Sequence, residues 1–270
     1  MGSGMAKTKS ARSETSETIR FMLKLALLVF VLRSFLFAPF SIPSESMLPR
    51  LLIGDYLFVS KWNYGYSRWS LPWGLPLIPG RVFPHDPVRG DIVVFRSMGP
   101  DDHDVIKRVI GLPGDTIQVT GGQVVLNGKP IPKLRIADFT LPLTPNFDAR
   151  KCGEAFQDVD AAGAPICRYP RFRETLPNGR SYAVIDQATI PMADDTGLYT
   201  VPAGNVFLMG DNRDDSADSR FAPPMGMGYI PMERIEGKAV VGFFSTDGSA
   251  SWLPWTWFSA ARWERIGEGF

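Results

Sequence analysis

Ser44 and Ser46 stand two residues apart in Ser-Glu-Ser-Met, a few residues past a strongly apolar run, and either hydroxyl could act as a nucleophile. A serine hydroxyl attacks poorly until a neighbouring base takes its proton. The chain of 270 residues has only two histidines, His85 and His103, so the ordinary imidazole base is scarce. Lysine serves instead only where its ammonium form is disfavoured, and burial among apolar groups does that. Lys107 lies in the run Val105-Ile-Lys-Arg-Val-Ile110, whose alternation places Val105, Lys107 and Val109 on one face of a strand. A lysine turned toward an apolar face is unusual unless it has work to do. The plainer reading is a lysine on a sheet edge.

A third segment, Met209 to Arg220, holds four acids and two arginines among small polar residues. It reads either as a solvated turn or as a charge-balanced scaffold that brings Ser216, Asp218 and Arg220 beside the lysine. An unpaired buried charge is costly, so Asp218 and Arg220 are expected to pair. Calcium fits badly: counting from Asp211 puts Arg213 at a ligand position, and counting from Asp214 puts Met225 where the bidentate glutamate belongs. No Cys-x-x-Cys or His-Glu-x-x-His occurs, and neither a metal nor an organic cofactor is expected.

These groups need elements to hold them. Residues 19–40, IRFMLKLALLVFVLRSFLFAPF, are apolar enough and about long enough to predict one transmembrane helix, with Lys24 snorkelling near one end. An interfacial helix, a removed signal peptide and a buried core helix are the alternatives. Lys7, Lys9, Arg12, Arg20 and Lys24 crowd the N-terminal side, which predicts an N-terminus in the cytoplasm and everything after residue 40 across the membrane. Met1 to Gly4 read as a tag remnant, and the rest of 1–18 as a polar tail.

Beyond residue 40 the pattern is mostly β. The runs 56–60, 91–95, 105–110, 116–120, 124–126, 205–209 and 238–244 are rich in β-branched and aromatic residues. Gly121-Gly122 and Asn127-Gly128 predict tight turns. With 23 prolines and 26 glycines the chain is no helical bundle. Residues 41–110 and 206–250 read as a catalytic core, 111–205 as an inserted β-rich subdomain, and 251–270 as an aromatic tail. That tail carries Trp252, Trp255, Trp257 and Trp263, either packed in the core or resting on lipid. Cys152 and Cys167 either pair or stay as buried thiols. A balance of 29 basic against 28 acidic residues, net +1, argues against a nucleic-acid partner.

Taken in order, the apolar segment, P-S-E-S-M-L-P-R-L-L-I-G-D-Y-L-F-V, G-D-I-V-V-F, D-V-I-K-R-V-I-G-L-P-G-D and M-G-D-N-R-D-D-S-A-D-S-R-F resemble the bacterial signal peptidase I (leader peptidase) family. The resemblance implies a membrane-anchored serine endopeptidase that removes signal peptides from exported preproteins, after small residues at positions −3 and −1. It implies Ser46 as nucleophile and Lys107 as general base. Ser44 and the Ser46 N–H form the oxyanion hole, Ser216 orients the lysine, and Asp218 with Arg220 supports it. The implied setting is the bacterial inner membrane, crossed once, with the catalytic domain on the periplasmic face. The implied partners are signal peptides, membrane lipid and, by proximity, the export machinery. The chain departs from the commoner pattern at Glu45, where glycine is frequent, at Asp215, and at Ala222-Pro223-Pro224. Two other classes compete: an anchored non-enzymatic β-domain, and a self-cleaving repressor, which would need a helix-turn-helix where this chain has its apolar segment.

Overall fold

A computed structural model describes residues 11–98 and 103–270. The tag remnant and the basic residues Lys7 and Lys9 lie outside them. The architecture is mostly β. Its main sheet has seven strands, in the order Phe37–Ser41, Asp55–Ser60, Ile235–Ser245, Ile92–Arg96, Asp104–Gly111, Asn205–Met209 and Ile230–Pro231. Every neighbouring pair is antiparallel. A second sheet has Pro165–Thr175 at its centre, paired with Lys133–Pro142 on one side and with Gln157–Val159 and Ser181–Ile185 on the other. A third, of Tyr199–Thr200, Thr116–Thr120, Gln123–Leu126 and Lys129–Pro130, contains both predicted turns. Asn127 and Gly128 have φ of 52° and 74°. Positive φ at both central residues is what a two-residue hairpin turn with the sheet's own twist requires.

The apolar N-terminal segment does not form the expected transmembrane helix. The α-helix runs Ala11–Val31, a π-helical turn follows at Leu32–Leu36, and Phe37–Ser41 is an edge strand paired with Asp55–Ser60. The run 19–40 is thus divided between helix and sheet. Glu14, Glu17, Arg20 and Lys24 fall within every 18-residue window of the helix, and no helix among the described residues is long and apolar enough to cross a membrane. The single-pass inner-membrane topology, with a cytoplasmic N-terminus and a periplasmic catalytic domain, is overturned by the same finding. Hydropathy alone does not separate a spanning helix from a shorter helix that hands its apolar residues to a strand.

The C-terminal tryptophans are not core residues. Trp252 is 86% exposed, and Trp255, Trp257 and Trp263 also face outward around the short Trp255–Ala260 helix.

Cys152 and Cys167 form a disulfide, and both pack in a cluster with Leu48, Leu52, Ile53, Leu141 and Tyr169. The bridge spans a sequence separation of 15, and a loop of that size is worth about 3 kcal/mol in lost unfolded-state entropy. Cys152→Ala with Cys167→Ala is therefore expected to lower the unfolding free energy by about that amount, with a lower urea midpoint and a larger m-value as the unfolded chain expands. An unchanged midpoint would show that the bridge constrains nothing the fold does not already hold.

Candidate active site

The Ser44–Met47 segment leaves the Phe37–Ser41 edge strand and turns back toward the centre of the main sheet. Two buried side chains fix it. Met47 packs with Ile42, Leu51, Ile92 and Ile106, whereas Leu48, the next residue, packs in the separate cluster around the disulfide. Both are fully buried, and burying each side chain is worth about 1.5–3 kcal/mol. Asn212 adds a polar clamp, its N–H donating to the Ser46 carbonyl at 3.1 Å and its Nδ2 to the Glu45 carbonyl at 3.3 Å. Gly210 permits this approach, since a Cβ there would lie 2.5 Å from the Ser46 carbonyl oxygen and 2.3 Å from Ser216 Oγ.

Lys107 comes from the Asp104–Gly111 strand, 61 residues away in sequence, and its Nζ lies 2.6 Å from Ser46 Oγ. It also donates to the Ile106 carbonyl at 3.0 Å. The strand is buried from Val105 onward on both faces, so alternation does not single out an apolar side. Val105 and Val109 belong to one cluster and Ile106 to another. Only 3% of Lys107 is exposed. Burial pushes its ammonium down to about 8, against a smaller upward pull from Asp218 and Asp211.

Ser44 is exposed, with its Oγ 3.4 Å from Ser46 Oγ. Asp218 and Arg220 pair at 2.9 Å, and Asp218 also accepts from the Gly210 N–H at 3.0 Å. Burial pushes the Asp218 carboxyl up, but Arg220 and the two backbone N–H groups together hold it below its ordinary value. The structure does not join Ser216 to the lysine: its Oγ is buried without a hydrogen-bond partner among the described residues. Glu45, expected to face solvent, is half-buried.

Sequence reading missed the ionic network beneath these groups. Arg108 binds Asp211 through two hydrogen bonds, of 2.7 and 2.6 Å, and its guanidinium lies 4.3 Å from the centre of the Tyr182 ring. The Tyr182 hydroxyl donates to Glu174 at 2.7 Å, and Glu174 binds Arg213, which donates to the Gly210 carbonyl. Arg220 in turn donates to the Arg213 carbonyl. Buried ions repay their desolvation only with good geometry and further hydrogen bonds, and each guanidinium here also donates to a backbone carbonyl. The network fixes the Met209–Arg220 loop, and through Asn212 it fixes the backbone of Ser46.

Asp186, Asp194 and Asp214 bring carboxylate oxygens within 4.8 Å of one another. Lys133 already binds Asp186, and Asp194 accepts the Ile190 N–H.

Comparison with known proteins identifies the family. A family model described as signal peptidase, peptidase S26, matches residues 15–244. Signal peptidase I of Rickettsia typhi (strain ATCC VR-144 / Wilmington) is 37% identical over 250 residues, covering 89% of this chain and 83% of the relative. That of Rickettsia akari (strain Hartford) is 36% identical over 257 residues, covering 89% and 85%. A solved signal peptidase I from Enterococcus faecalis V583 is 24% identical and covers 57% of this chain and 97% of that one, with a TM-score of 0.30, too loose to bear on residue positions. On the family model and these relatives, the chain belongs to the bacterial signal peptidase I family and is a serine-type endopeptidase.

Proposed function

We propose that the chain removes signal peptides from exported preproteins with Ser46 as nucleophile and Lys107 as general base. One observation carries the reading: the 2.6 Å contact between Ser46 Oγ and the buried Lys107 Nζ. With its pKa held down to about 8 by burial, the amine has a lone pair to offer near neutral pH. The Ser46 hydroxyl gives its proton to Lys107 as Oγ bonds to the scissile carbonyl carbon. The Ser44 hydroxyl and the Ser46 N–H donate to the oxyanion that develops. Lys107 then returns the proton to the departing amine, which breaks the C–N bond and leaves an acyl ester on Ser46. Water, deprotonated by the same lysine, attacks the ester and releases the second product.

Small residues at −3 and −1 are what the resemblance implies. The setting is consistent with them, because Ile42, Met47 and Ile106 belong to a buried apolar cluster whose Val59 and Val94 line the cavity between the Ala11–Val31 helix and the sheet. A substrate strand laid in that cavity would be held by main-chain hydrogen bonds and selected by shallow pockets.

The test is cleavage of a preprotein with an Ala-x-Ala site, analysed for the position of the cut. Cleavage after the second alanine, abolished when both alanines become leucine, is the expected result. Ser44→Ala should lower kcat by about 10²–10³-fold if its hydroxyl is an oxyanion donor. Cleavage at unrelated bonds, or indifference to the leucines, would refute the specificity.

A further inference from the structure

Two cavities meet the main sheet at neighbouring rows of the Ile92–Arg96 strand. One, of about 840 Å³, lies between the Ala11–Val31 helix and the sheet and is lined by Leu25, Val29, Phe40, Leu71 and Val94. The other, of about 800 Å³, is lined by Arg50, Arg108, Arg171, Arg173 and Arg180, with Glu268 as its one acid. The first reaches the Ile92–Arg96 strand at Val94, the second at Ile92. Across the sheet Val94 pairs with Ile106, Val93 with Lys107, and Ile92 with Arg108. The row that carries the base therefore lies between the apolar cavity and the cationic one. Pro49, three residues after Ser46, lines the cationic crevice as well.

Not all of that positive charge is compensated. Arg108 is engaged with Asp211, Arg180 with Asp91 at 2.6 Å, and Arg50 with Glu268 at 2.6 Å. Arg171 donates to the Ala137 carbonyl at 2.9 Å, but among the described residues neither it nor Arg173 has a carboxylate partner. Their position follows from alternation along Pro165–Thr175. Phe172 packs against the interior cluster and Glu174 is 1% exposed, so Arg171 and Arg173 share the opposite face. Like charges two residues apart on one face repel, and nothing in the local packing compensates the repulsion. Together they create a positive potential that attracts an anion.

We propose that this crevice receives the substrate segment that follows the scissile bond and recognises acidic side chains in it, chiefly through Arg171 and Arg173. The inference rests on the peptidase reading, which places the bond at Ser46. The apolar part of a signal peptide precedes its cleavage site, so the apolar cavity suits the segment before the cut. A cavity lined by five arginines suits the segment after it. Guanidinium groups bind carboxylates through paired, charge-assisted hydrogen bonds.

The test uses three preproteins identical through the cleavage site, with Asp-Glu, Ser-Gln or Lys-Lys at the second and third positions after it. For the full-length protein at low salt, KM for the acidic substrate should be about 5- to 10-fold below that for the basic one, with equal kcat. The ratio should approach one in Arg171→Ala/Arg173→Ala, persist in the double lysine variant, and shrink with added salt. Equal KM values in the unsubstituted protein, or a ratio unaffected by the double alanine variant, would overturn the proposal. So would binding to anionic lipid vesicles that depends on both arginines without any preference among substrates, since the crevice would then read a headgroup. Cleavage of the Ser-Gln substrate at the expected bond reports the peptidase reading separately.

Discussion

Replacing Ser46 with alanine lowers kcat for preprotein cleavage by about 10⁶-fold, the scale seen when a nucleophile is removed from a serine protease. The loss should fall on chemistry and leave the fold intact. The segment around Ser46 is held by the side chains of Met47 and Leu48 and by hydrogen bonds from Asn212 to backbone carbonyls, none of which uses the serine hydroxyl. The alanine variant should therefore show the unchanged circular dichroism spectrum and a urea midpoint close to that of the parent. It should still bind the preprotein, because Ser46 lines neither cavity. Ser44 cannot substitute: its Oγ is 3.4 Å from the Ser46 oxygen, and among the described residues no base contacts it as Lys107 contacts Ser46. Turnover within tenfold of the parent would show that Ser46 is not the nucleophile, whatever its distance from the lysine.

What the sequence disclosed about this site, and what it concealed, follows from the range of the interactions involved. Local chemistry was legible. Asn127-Gly128 needs only its own backbone preferences to make a turn, and 116–120 and 205–209 carry enough β-branched and aromatic residues to stand as strands of those bounds. The segment 37–41 was not, because its strand character comes from pairing with 55–60 and not from its composition. Residues 133–142 and 165–175, long strands in the structure, were hidden by their prolines and charges. The site divides in the same way. Ser44, Ser46, Lys107 and the 209–220 block could be picked out by residue type and order. The ion pairs Arg108–Asp211 and Glu174–Arg213 join positions 103 and 39 residues apart, and no local pattern announces either. Nothing in the sequence around Asn212 marks it; only the folded chain shows it bonded to the Glu45 and Ser46 carbonyls.

The pH dependence of cleavage carries the second large effect. A lysine accepts a proton only when neutral, so kcat/KM should rise about tenfold per pH unit at low pH and level off above about 8, where burial has placed Lys107. Lys107→Met keeps the length of the side chain and removes the amine, and it should lower kcat by about 10⁴–10⁶-fold and abolish that limb. Glu236 is a second group near this range, pushed up to about 7 by burial and by Asp104, where it meets Lys61 on the wall of the apolar cavity. The variant separates the two, since any influence of Glu236 on binding survives the loss of the lysine. Stability should also rise with pH, but in a higher window than activity. The folded pKa of Lys107 is below the ordinary lysine value of 10.5, so between about 8 and 10.5 the unfolded chain holds a proton that the native state lacks. Stability from this group is therefore present above the unfolded value and is lost as pH falls toward about 8. At pH 7 the native protein bears the full cost of a buried ammonium, and Lys107→Met removes it. Urea unfolding should thus show the variant more stable than the parent at pH 7, with the gap closing toward pH 10. A gap that stayed constant with pH would mean that Lys107 is not held near neutrality by burial, and the dyad would lack its base.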